Sequence, residues 1–100
     1  MEYRIIELEI IRWAEARKII PNSTPVAQYL KAVSEMGELA DAINKKDMAA
    51  TKDAVGDTLV CLINMCALLD IDMIECLKSA YDEIKDRKGT LLPSGVFVKE

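Results

Sequence analysis

Residues 34–43 read SEMGELADAI, and residues 52–69 read KDAVGDTLVCLINMCALL. The first stretch has helical periodicity and sets Glu35 and Glu38 three residues apart, on one side of a helix. The second puts Asp53 and Asp57 four apart, at the head of a run that is apolar on every side from Thr58 to Leu69. A helix apolar all round is expected to be buried all round. Two carboxylate pairs on consecutive helices, the second leading into apolar sequence, decide the reading of both fold and function.

Working outward, Thr24 supplies an N-cap and Pro25 a first helical position, so a helix is expected over 25–44. Its apolar stripe, Val26, Leu30, Val33, Met36, Gly37, Ala40 and Ile43, is expected to face the core. Lys31, Glu35, Glu38 and Ala42 lie nearly opposite, and taken alone they read as a solvated face. The turn NKKD is short, which predicts that the next helix, 48–69, runs antiparallel. Upstream, a first helix over 2–18 carries Ile5, Leu8, Trp13 and Ala16 and ends before Pro21. Downstream, Asp72 and Glu75 form a capping-box pattern that opens a fourth helix over 73–88, with Ile74, Leu77, Tyr81 and Ile84 as its stripe and Gly89 as its stop. Residues 89–100 contain Pro93 and Gly95 and read as a short extended C-terminal tail. The expected fold is one all-α domain over 1–100, a compact four-helix bundle.

Composition narrows the function. The chain has 100 residues, 51% hydrophobic and 30% charged, which excludes disorder and allows one modest core. The apolar share is high for a chain this small, and the third helix is apolar on all sides, so a homodimer or homotetramer is expected. Net charge is −4 with no basic block, which argues against a nucleic-acid polymer as partner but leaves single nucleotides open. There is no histidine, which removes histidine bases, His-based triads and the usual zinc sites. Cys61, Cys66 and Cys76 are odd in number, not spaced C-x-x-C, and read as buried thiols of a reducing cytoplasm. The N-terminus is charged throughout, unlike a signal peptide, and the longest apolar run is too short for a bilayer, so no membrane association and a cytoplasmic location are expected.

Asp53 can be read as an early-turn acid answering the helix dipole. Asp57 lies more than two turns in, where an unpaired buried carboxylate costs several kcal/mol and calls for a lysine, an arginine, helix N–H groups or a cation. If the two helices pack antiparallel, Glu35-x-x-Glu38 can face Asp53-x-x-x-Asp57. Four oxygen donors without histidine or cysteine suit a hard cation, Mg²⁺ or Mn²⁺, completed by waters and phosphate oxygens.

These residues, with VGDTLVCLINM and AYDEIKDRKG, resemble the MazG-like all-α nucleoside triphosphate pyrophosphohydrolases, and the tail GVFVKE resembles their short phage-type members. The family pattern is E-E-x-x-E on one helix and E-x-x-D on the next. Ser34 stands where the first Glu is usual, and Ala54 where the Glu of E-x-x-D is usual, with Asp53 one position earlier. The resemblance implies hydrolysis of a nucleoside triphosphate between the α- and β-phosphates, giving monophosphate and pyrophosphate. It makes Glu35, Glu38 and Asp57 metal ligands, with Asp53 a substitute for the missing Glu. Catalysis would rest on Glu35 and Glu38, with Glu35 the general base. Lys31, Lys85, Arg87 and Lys88 are candidates for phosphate contact, beside ordinary roles as an i,i+4 partner and as helix C-terminal charge. Trp13 reads as core, or as a surface for stacking a base. Asn64 binds base or sugar, or bridges helices. The alternative to an enzyme is a non-catalytic interaction module that keeps the bundle with an incomplete metal site.

Overall fold

The computed structural model describes residues 2–100. Five helices precede a small hairpin: α1 (Tyr3–Ala16), α2 (Ile19–Asn22), α3 (Pro25–Asn44), α4 (Met48–Leu68) and α5 (Met73–Ile84), then β1 (Gly89–Leu91) and β2 (Phe97–Lys99). The fold is all-α, a helical bundle centred on α3 and α4. Among the described residues no helix is long and apolar enough to cross a membrane.

Local chemistry sets the helix ends. Thr24 Oγ1 accepts the Ala27 N–H at 3.0 Å and Pro25 opens α3, as the sequence predicts. Asp47 Oδ1 does the same for α4 through the Ala50 N–H, also at 3.0 Å. After α3 and α4 the chain turns through left-handed residues, Lys46 (φ 55°) and Asp70 (φ 56°). These let the N–H groups of Asp47 and Ile71 reach back to the carbonyls of Ala42 and Cys66, closing orphan helix ends. The turn folds α4 back antiparallel to α3.

Small residues line the seam between them. Ala32 and Ala42 of α3 and Ala54, Thr58 and Cys61 of α4 are buried, so the two backbones approach closely. On its other flank α4 receives α1, where Glu7 and Ala14 are buried and Glu7 lines one hollow with Ile63 and Cys66 of α4. Glu7 is not stranded there: Arg4 bonds it at 2.7 Å and reaches Asp72 at 2.9 Å, which ties α1 to the start of α5.

This arrangement reverses the expected orientation of α3. The stripe assigned to the core faces outward, with Val26 65% and Ile43 57% exposed, while Glu35 on the face read as solvated is only 6% exposed. Alanines on the carboxylate side permit the close approach to α4; a stripe of Val, Leu, Met and Ile would hold the helices apart. Likewise α4 is not covered on every side, because Val55 and Leu59 remain open. On α1, Ile5, Leu8 and Trp13 stay exposed and the buried side is Glu7 and Ala14.

Three further expectations are corrected. α5 ends at Ile84 rather than Lys88, because the Lys88 carbonyl is taken by the Glu100 N–H at 3.0 Å and the intervening residues turn into the hairpin. The capping box at Asp72 is half formed: the Asp72 carboxylate accepts from the Ile74 and Glu75 N–H groups and from Arg4, and among the described residues the Glu75 carboxylate makes no return bond to the Asp72 N–H. The tail is a β1–β2 antiparallel hairpin with Thr90 opposite Val98. Gly89 is required there, since a Cβ would run into the Val98 carbonyl and the Phe97 ring, and Gly95 makes the turn at φ 91°. Along α5, Leu77, Tyr81 and Ile84 are bare. With α5 and the hairpin projecting, the radius of gyration is 16.1 Å, against about 13 Å typical for this length.

Candidate functional site

α3 and α4 bring their polar sides together at one cleft of about 380 Å³, closed at the far wall by Trp13 of α1 and Ile19 of α2. α3 contributes Gln28, Lys31 and Glu35, which share a side because they are three, four and seven apart. α4 contributes Asp57 and Asn64, two turns apart, with Val60 and Cys61 between them.

Glu35 is the buried acid of this cleft. Its Oε1 lies 3.2 Å from Lys31 Nζ, and its Oε2 is buried without a hydrogen-bond donor. The carboxyl of Glu38, one turn on, and the Lys31 ammonium hold Glu35 below the ordinary carboxylate range. The same neighbour pushes Glu38 the other way: interaction with Glu35, loss of solvent and, more weakly, Asp57 raise its pKa. Asp57 is exposed at the cleft mouth and takes part in no ion pair among the described residues, so the buried edge expected for it is not formed and its charge is met by solvent. Its field nevertheless reaches Glu38 and Cys61.

Asn64 is 2% exposed with its Oδ1 unpartnered, an acceptor held ready at the inner wall. Trp13 is 45% exposed, with the Arg17 guanidinium 5.2 Å from its ring centroid. It is a wall of the cleft rather than core.

Five of the residues singled out from the sequence therefore converge: Trp13, Lys31, Glu35, Asp57 and Asn64. Glu38 stands beside them through Glu35. Asp53 lines the adjoining groove between α1 and α4 with Tyr3, Ile6 and Lys52, a groove that shares Asp57 with the cleft. Lys85, Arg87 and Lys88 are not brought to the cleft. Lys85 pairs with Asp82 at 3.4 Å, and Arg87 and Lys88 border a surface hollow with Glu83, Asp86 and Lys99. Gln28 and Arg17 were not anticipated. The signal for Gln28 was its spacing from Lys31 and Glu35; that for Arg17, the C-cap of α1, was its i,i+4 spacing from Trp13. Of the three thiols, Cys61 and Cys66 are buried, with pKa values raised by burial, whereas Cys76 is exposed, contrary to expectation.

Among the described residues, no three Asp, Glu or Cys side chains stand close enough together to enclose a metal ion. The donor set nonetheless suits a hard cation. The buried Glu35 Oε2 lacks a partner, Glu38 is beside it, and Asp57 faces them across the cleft.

The MazG nucleotide pyrophosphohydrolase domain model matches residues 24–91, which include α3, α4, α5 and the acids Glu35, Glu38, Asp53 and Asp57. An uncharacterized 18.2 kDa protein in the rep-hol intergenic region of Haemophilus phage HP1 is 34% identical over 65 residues, covering 65% of this chain and 40% of that protein. The chain thus aligns with about two fifths of the length of that curated relative. No solved structure gives a significant match. With the family match spanning most of the sequence and its acids gathered on facing helices, the chain belongs to the MazG nucleotide pyrophosphohydrolase domain family.

Proposed function

We propose that this chain is a metal-dependent nucleoside triphosphate pyrophosphohydrolase that releases pyrophosphate by cleavage between the α- and β-phosphates. The observation that carries the proposal is the partnerless, buried Oε2 of Glu35. A carboxylate oxygen out of water with no donor costs free energy, and a cation or a substrate water is the occupant that would repay it.

Glu35, Glu38 and Asp57 would hold Mg²⁺ or Mn²⁺, with Asp53 one turn from Asp57 as a further donor. When bound, the metal neutralises triphosphate charge and makes water a better nucleophile. Glu35, buried in the cleft with Lys31 Nζ 3.2 Å from its Oε1, is the carboxylate that would accept a proton from the attacking water. Lys31, released from Glu35, meets phosphate charge at the cleft mouth. Trp13 offers a face on which a base can stack, and the Asn64 Oδ1 accepts from a base or ribose donor. Burial of Glu35 keeps bulk water from competing for its oxygens.

A panel of ribo- and deoxyribonucleoside triphosphates with Mg²⁺, scored for pyrophosphate release, tests this reading. Release that is abolished by chelator and by Glu35→Gln is the expected result. No release with any triphosphate, or full turnover in excess chelator, would overturn it.

A further inference from the structure

Two carboxylates are buried among the described residues, Glu7 of α1 and Glu35 of α3, at 3% and 6% exposure. Each has one cation beside it, and the two cations are held very differently. Arg4 lies 2.7 Å from Glu7 and is fixed by two further bonds to Asp72, so that pair belongs to the frame. Lys31 meets Glu35 through Oε1 alone at 3.2 Å, leaves Oε2 without a donor, and has no second acid within ion-pair distance among the described residues. Its side chain is 61% exposed against 8% for that of Glu35, so the ammonium reaches the acid from the cleft wall on a stem that stays in water. The order is also the weaker one for a helix, with the lysine N-terminal to the glutamate. An exposed, single-contact pair of this kind adds little to the fold and is easily exchanged.

We infer that Lys31 is an exchangeable cation: in the metal-free chain its ammonium takes the place of the divalent metal at Glu35, and on exchange it turns to the triphosphate, so that metal and phosphate each favour the binding of the other. The inference rests on the metal-dependent reading above and adds to it a coupling between the two ligands. Lysine suits the task, since its ammonium is a compact charge on a flexible stem. While it sits at Glu35 it repels a second cation from the same carboxylate and is itself kept from phosphate. One ammonium on one oxygen leaves Oε2 bare, whereas a metal ion can take either carboxylate oxygen or both. Exchange relieves these conflicts together: the carboxylate keeps a cation, and the freed ammonium stays at the cleft it already lines. By linkage, whatever affinity phosphate gains from the freed lysine, the metal gains in return.

The full chain is titrated with Mn²⁺ alone, followed by electron paramagnetic resonance, and separately with inorganic tripolyphosphate alone by calorimetry, beside Lys31→Met and Lys31→Arg. Methionine keeps the unbranched stem and the helix propensity of lysine without its charge. Lys31→Met is expected to bind Mn²⁺ about fivefold more tightly, and tripolyphosphate about fivefold more weakly, than the wild type. Lys31→Arg, whose fork can hold both Glu35 oxygens, is expected to bind Mn²⁺ more weakly than the wild type while it retains tripolyphosphate. Opposite changes in the two affinities are what a merely structural ion pair does not give. Mn²⁺ bound by Lys31→Met no more tightly than by the wild type would overturn the exchange and leave the metal-dependent reading standing, as would an unchanged affinity for tripolyphosphate. Absence of Mn²⁺ binding in all three proteins would overturn both.

Discussion

The two sides of α3 make the most instructive contrast in this molecule. One side carries acids and alanines and is packed; the other carries Val, Leu, Met and Ile and is open. The small residues bring α3 against α4, and the close approach buries Glu35 with an oxygen that has no donor. The large residues face outward. Polarity by itself therefore does not reveal which face of a helix is inside. Side-chain size at the seam decides it, and here the site is built where two helices can come closest.

The largest expected effect is on the packed side. Glu35→Gln should lower pyrophosphate release by about a hundredfold or more, while the melting temperature without metal stays level or rises, because the amide can donate to Glu38. A variant with intact turnover would remove Glu35 from the chemistry and break the contrast. Asp57→Asn should follow, with weaker Mg²⁺ binding and no loss of apo stability, since Asp57 is exposed and unpaired. Asp53→Asn, in the neighbouring groove, should have the smaller effect of the two. Equal effects would place the metal nearer the α1–α4 groove than Glu35.

The acid pair also predicts a pH response. Glu38 has a raised pKa, so without metal its contribution to stability is present at low pH and declines as pH rises through that value. Glu35, lowered, acts in the opposite sense: its contribution holds above the unfolded pKa and is lost only as pH falls through its depressed value. If Glu38 holds Mg²⁺ as proposed, it must be ionised to do so. The acid limb of activity should therefore lie above the ordinary carboxylate pKa of about 4.3, and the limb should disappear from the residual activity of Glu38→Gln. An unchanged limb in that variant would separate Glu38 from metal binding.

Smaller effects sharpen the account of how α3 is held in place. Thr24→Ala removes the cap on Ala27 N–H and should cost about 1 kcal/mol in denaturant titration. Lys46→Gly relieves a left-handed non-glycine residue between α3 and α4 and should stabilise by up to about 1 kcal/mol. A destabilised glycine variant would show that the Lys46 side chain makes a contact worth more than the strain it carries.

Much of the chain was legible because the relevant physics is local. Thr24–Pro25 fixed the start of α3, Asp72 and its N–H partners the start of α5, and the short turn at Lys45–Asp47 the antiparallel pairing. The spacing of Glu35, Glu38 and Asp57, with the family pattern they resemble, marked the acids that the fold gathers. What the spacing could not supply was direction. Whether the Val26–Ile43 stripe or the Glu35 side of α3 faces α4 depends on how closely two backbones can approach, and the buried alanines Ala32 and Ala42 of α3 and Ala54 of α4 permit that approach. The place of Trp13 at the cleft, the separation of Lys85, Arg87 and Lys88 from it, and the hairpin at the C-terminus are settled in the same way. Local hydrogen bonding and periodicity write helices into a sequence; the faces they share are decided by contacts between residues far apart in the chain, and only the folded arrangement contains those.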